Sequence, residues 1–213
     1  LLGLMINLIL QPNSEYSVFV SNIPLMVGII LILGVILGPV TASGTYIYKN
    51  LKTGKHVRFF SDFFKQFASN FKQSFVFGVF DAIIVASLLS LWTIFRGIMA
   101  TGADLKTTIV LCLIGLFLFI YFCMRPYIYL QIVSINLKVA QIVRNALFFA
   151  LLGIKANFLS LILSAFALGI GILGLVWTPW LFLFWLICGF SLTGFIQVFC
   201  VYNVFHHHLI APE

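Results

Sequence analysis

Charge is what this chain has least of. Only 8% of its 213 residues are charged, and only five are acids, against the ~25% charged residues of an average soluble domain. So few charged groups leave a water-soluble globule of this length without a polar surface. Carboxylates are too scarce for a glycosidase pair. No Ser-His-Asp or Cys-His grouping assembles from the polar segments, so the chain reads as a non-enzyme. Cysteine is sparse as well. Cys112, Cys123, Cys188 and Cys200 lie inside apolar runs and match no zinc spacing. No basic tail or nucleic-acid motif accompanies the net charge of +7. No metal or cofactor is expected. Six prolines and sixteen glycines fall short of a low-complexity composition, and disorder needs the opposite balance of polar and apolar residues.

Apolar residues are abundant: 62% of the chain, with a mean hydropathy of +1.17. A membrane helix needs ~20 mostly apolar residues. The expectation is an all-α, polytopic membrane helix bundle forming one domain over residues 1–213, with about six spans. These fall at 1–10 (the end of a first helix that starts before Leu1), 23–48, 74–95, 107–132, 158–176 and 181–204. The second carries Gly34-x-x-x-Gly38, a spacing that lets two helices approach closely. Gly38-Pro39 then interrupts it, because proline removes an intrahelical hydrogen bond. Thr41 and Ser43 offer hydroxyls to the carbonyls so freed.

The most polar stretch is 49–72, with six Lys and Arg against one acid, Asp62. Within it Phe59, Phe60, Phe63, Phe64, Phe67 and Phe71 recur at helical spacing. The opposite face carries Asp62, Lys65, Gln66, Ser69, Asn70 and Gln73. An aromatic face backed by a basic polar face predicts an amphipathic helix in the membrane interface, over 56–73. A second amphipathic segment is expected over 134–155. Lys and Arg stay on the cytoplasmic side. That places 49–72 and 125–155 inside, and the segments 11–22 and 177–180, which lack both residues, outside. The 96–106 segment reads as a short mixed loop. Both termini then lie inside.

Asp81 is the one acid within a span. An intramembrane carboxylate is costly and marks a candidate site; with Arg96 and Arg125 it makes a possible polar path. A carboxylate near the span end that simply meets water is the alternative. Gly169-x-Gly171-x-x-Gly174 matches the dinucleotide fingerprint in letters only. It lies inside an apolar span with no preceding strand, so close helix packing is expected there. His206, His207 and His208 point in different directions from a helix and read as an interfacial cap.

Gly38-Pro39-Val40-Thr41-Ala42-Ser43, followed by Tyr46, Lys49 and Asn50, resembles the second-helix signature of the YesL family of bacterial membrane proteins, a domain of unknown function. The resemblance continues through His56-Val57-x-x-Phe60-Ser61-Asp62-Phe63-Phe64, with Phe60 where the family has Trp, and through Asn70-Phe71-Lys72-Gln73. Arg125-Pro126-Tyr127 and Val143-Arg144-Asn145-Ala146-Leu147 look like its later elements. Such proteins occur in Firmicutes, often encoded beside carbohydrate ABC importers. The resemblance implies an accessory role in sugar uptake, and carries no catalytic residues over.

The expected function is therefore an accessory protein of the bacterial cytoplasmic membrane. It would bind lipids and other membrane subunits, above all the permease of an oligosaccharide ABC importer. The expected contact residues are Gly34, Gly38, Pro39, Thr41, Asp62, Lys65, Asn70 and Lys72. Two rivals stay open. One is a stand-alone small-solute transporter or channel using Asp81, Arg96 and Arg125. The other is a lipid-binding, membrane-organising protein.

Overall fold

A computed structural model of the chain describes residues 28–34, 36–101, 105–135, 137–177 and 179–207. The expected first span at 1–10 lies outside them. Every element among the described residues is helical. Residues 28–34 form α1. A π-helical turn, Ile36–Val40, leads into α2, Thr41–Lys52. Then follow α3, Phe59–Ser69, α4, Phe71–Thr101, α5, Leu105–Ser134, α6, Val139–Leu152, α7, Ile154–Trp177, and α8, Pro179–Phe205. Among the described residues four stretches are long and apolar enough to cross a membrane: Gly28–Lys52, Phe71–Leu88, Leu105–Ser134 and Ile154–Gly171. At 1.5 Å per residue, an 18-residue stretch covers about 27 Å, close to the hydrocarbon thickness of a bilayer.

The chain divides into two compact units. The first joins the described residues up to Pro39 with Ser74–Phe119. Its closest approach is a glycine seam. A Cβ on Gly38 would collide with the Ser74 carbonyl, and one on Gly78 would lie 2.6 Å from the Gly38 Cα. Only glycine lets these two backbones meet. Pro39 sits in the π turn beside this seam. It has no N–H to donate, and the wider turn absorbs the break in the ladder. The expected loop at 96–106 is instead helical as far as Thr101. Ile98, Met99 and Ala100 carry the helix on, and the one Gly97 is too weak a breaker to stop it.

The second unit holds Val40–Gln73 and Ile120 onward. Its core is the C-terminal half of α5, where Tyr127, Tyr129, Leu130 and Gln131 are almost fully buried. Pro126 is accommodated inside this helix. On α6, Ile142, Ala146, Phe149 and Ala150 point inward at helical spacing. Phe149 bridges the Tyr127 ring at 5.9 Å and the Phe205 ring of α8 at 6.0 Å. The inward stripe of α7 is small and polar: Asn157, Ser160, Ser164, Ala167 and Gly171, preceded by buried Gly153 at the α6–α7 junction. Its large residues, such as Phe158, Ile162 and Phe166, face outward. The Trp185 ring of α8 lies against Gly171, and its indole N–H donates to the Ala167 carbonyl at 2.9 Å. Gly171 thus takes the close-packing role expected of that span's glycines, whereas a Cβ on Gly169 would meet nothing within 4 Å; the surroundings of Gly174 lie outside the described residues.

Candidate functional site

The segment from Lys49 to Gln73 has two tied ends, with a helix between them that is half-buried along one face, at Asp62, Phe63, Gln66 and Phe67, and exposed along the other. Lys49 and Lys52 stand in the last turn of α2, where cations offset the helix dipole. The Lys49 ammonium donates to the Val133 carbonyl and the Ser134 hydroxyl, both at 3.2 Å. Lys52 donates to the Phe199 carbonyl and sits 4.3 Å from the centre of that ring. Tyr48 and Ser191 share a hydroxyl hydrogen bond at 2.8 Å. These contacts tie α2 to α5 and α8. Gly54 then turns the chain with φ of 68°, a conformation glycine adopts without steric penalty.

Asp62 starts α3. Its carboxylate accepts the Arg58 backbone N–H at 2.9 Å, satisfying a donor at the helix N-terminus. At the other end the Asn70 amide donates to the Gln66 side-chain oxygen at 2.8 Å. Gln73, just inside α4, donates to the Leu137 carbonyl at 2.7 Å. Yet α3 itself has no buried residue. Phe60 is 76% exposed, Phe64 65% and Phe59 57%. The Phe59 and Phe63 rings stack at 6.3 Å, so the phenylalanines pack on one another along the helix surface. Lys65 stands exposed on the same helix.

Beside α3 lies an open polar cleft of about 640 Å³. Gln66, Ser69, Asn70, Lys72 and Gln73 form one wall, and residues 132–135 form the other. Lys72 is exposed, and among the described residues no acid lines the cleft. The residues that hold the second wall, Lys49, Ser134 and Leu137, are absent from the sequence-based site. The available signal was Ser134, the hydroxyl that ends an apolar run, but nothing in the linear order pairs it with Lys49.

The remaining site residues go elsewhere. Gly34, Gly38 and Pro39, expected as a partner surface, are buried, and the two glycines pack on α4 of the same chain. The seam needs their missing side chains, so this face is already used internally. The Thr41 carbonyl accepts the Thr45 hydroxyl at 2.8 Å. Asp81 is 4% exposed within α4. Arg96 is in the same helix, and its side chain lies outside the described residues. Arg125 sits over the Tyr129 ring at 5.3 Å. Asp81 and Arg96 belong to the first unit and Arg125 to the second. Arg125 does not line the cleft. His206 and His207 are exposed, and His208 lies outside the described residues. Among the described residues no three metal-ligating side chains cluster.

Comparison of the chain with protein-family models, with curated proteins and with solved structures finds no match.

Proposed function

We propose that this chain is an accessory integral membrane protein of the bacterial cytoplasmic membrane, and that α3 is the element through which it engages a second membrane protein. The observation that carries this reading is a helix with no fully buried residue, whose Phe59, Phe60 and Phe64 stand exposed while the flanking segments are tied down through Lys49, Lys52 and Gln73. Large exposed aromatic residues beside lysines form the composition of an interfacial or docking helix. Burying Phe60 and Phe64 against a partner or the acyl boundary is worth roughly 1.5–3 kcal/mol each. The aromatic face takes the acyl boundary, and Lys65 with the polar face takes the partner. Following the resemblance to the YesL family, that partner is the permease of a carbohydrate ABC importer, on the cytoplasmic side.

The test is affinity purification from native membranes in mild detergent, with mass spectrometry of the proteins that come along. Permease subunits in near-equal amounts are expected with the natural chain. The double variant Phe60→Ser, Lys65→Glu should lose them while its elution volume and helical content stay unchanged. A complex that survives this variant intact overturns the assignment of α3.

A further inference from the structure

We infer that the cleft between the α3–α4 junction and the end of α5 is a binding site for the phosphate group of an anionic phospholipid. The inference rests on the membrane placement of the helices and not on the accessory role.

Position comes first. One wall of the cleft runs into the start of the candidate span Phe71–Leu88, and the other is the last turn of the candidate span Leu105–Ser134 together with Ile135. Both walls therefore stand where apolar helix gives way to polar chain, the level at which lipid headgroups lie.

Charge and hydrogen-bonding character come next. Lys72 brings an ammonium into the lining. Gln66, Ser69, Asn70 and Gln73 add amides and a hydroxyl, although Asn70 and Gln73 each give one N–H, to Gln66 and Leu137 respectively, and the Ser69 hydroxyl donates to the Gln66 carbonyl. Lys49 adds a second ammonium behind the far wall, bound to Ser134. Asp62, the only acid in the 49–72 segment, is engaged by the Arg58 backbone N–H. A cleft lined by one ammonium and polar amides, with no carboxylate among its described lining residues, favours an anion, and a phosphodiester takes such donors through its unesterified oxygens. Its volume of about 640 Å³ falls within the ~300–1,000 Å³ range of small-molecule sites.

The neighbouring surface decides between a lipid and a free anion. Phe59, Phe60 and Phe64 are exposed on the helix that supplies Gln66 and Ser69 to the wall. Basic and aromatic side chains on one such helix hold it in the headgroup layer. A phosphate in the cleft is then continuous with acyl chains that run out over apolar surface. A soluble phosphate gains nothing from that surface.

The test uses the full chain in nanodiscs of phosphatidylglycerol and phosphatidylcholine in equal parts, released into neutral detergent, with retained lipid counted by native mass spectrometry. Phosphatidylglycerol should be retained in preference. Lys72→Glu and, separately, Ser69→Glu should each reduce its retention about tenfold, since each puts a negative charge into the cleft from an exposed position. Lys155→Glu, the same charge change at an exposed site on α7, should leave retention within about twofold. Millimolar glycerol phosphate should not displace the lipid. Equal retention of the two lipids overturns the proposal, as does indifference to both cleft variants. Displacement of the lipid by glycerol phosphate or inorganic phosphate overturns the lipid assignment and leaves a soluble-phosphate site.

Discussion

The glycine seam of the first unit and helix α3 of the second use side-chain size in opposite ways. In the seam the smallest residues are the most tightly packed: Gly34, Gly38 and Gly78 are all buried, and no Cβ fits on Gly38 or Gly78. In α3 large residues lie uncovered, with Phe60 and Phe64 mostly exposed. In water that pattern would be upside down. In a bilayer, lipid tails are as apolar as leucine, so hiding a large apolar side chain from them gains little. Helix association then comes from backbone approach and van der Waals fit, which glycine permits. Apolar bulk is left to face lipid or a partner. The seam is what holds helices together, and α3 is what the chain offers outward.

That contrast breaks most visibly at the seam. Gly78→Leu should destabilise the protein by about 3 kcal/mol or more, because the new side chain meets backbone that has no rotamer to change. A large fall in the melting temperature of the detergent-purified protein is the expected reading; an unchanged one would mean the two helices do not pack there. A smaller effect tests the closed α7–α8 pair. Trp185→Phe keeps an aromatic ring against Gly171 but removes the donor to the Ala167 carbonyl, and should cost about 1 kcal/mol in the same thermal assay. The smallest effect belongs to α3. Phe60→Ser with Phe64→Ser should shift stability by no more than ~0.5 kcal/mol, as for surface substitutions in general. A loss as large as that of Trp185→Phe would show α3 to be part of the packed core and erase the contrast.

Much of this architecture can be read from residue order. Scarce charge and long apolar runs point to membrane helices, and four stretches meet that requirement among the described residues. The Phe59 to Phe71 periodicity marks an amphipathic helix, and α3 occupies Phe59–Ser69. Asn70 breaks the helix there, and Phe71 and Lys72 enter α4 instead. The destination of each small residue was not legible. Gly34-x-x-x-Gly38 announces a close approach but not whether the other helix belongs to this chain or to another. It belongs to α4, through Gly78, forty residues away, with no pattern linking the two. The cleft was half legible. Lys72 and Asn70 stand out in a basic polar run, whereas Ser134 and its tie to Lys49 depend on a meeting 85 positions apart. Local periodicity reports which face of a helix is apolar. It carries no information about which neighbour covers that face.

The inward stripe of α7 has a consequence for entropy. Glycine and alanine have no rotamers to lose when they are buried, whereas a leucine or isoleucine gives up about 0.5–1 kcal/mol of side-chain freedom. The seam with α8 is lined by Gly153, Ala167 and Gly171 among short polar residues, so closing it freezes very little. Phe158, Ile162 and Phe166 on the outer face keep their motion against fluid acyl chains. On the α7 side the pairing costs little disorder; the rotamer freedom it does cost is lost by α8, whose Trp185 is fixed on Gly171 and Ala167.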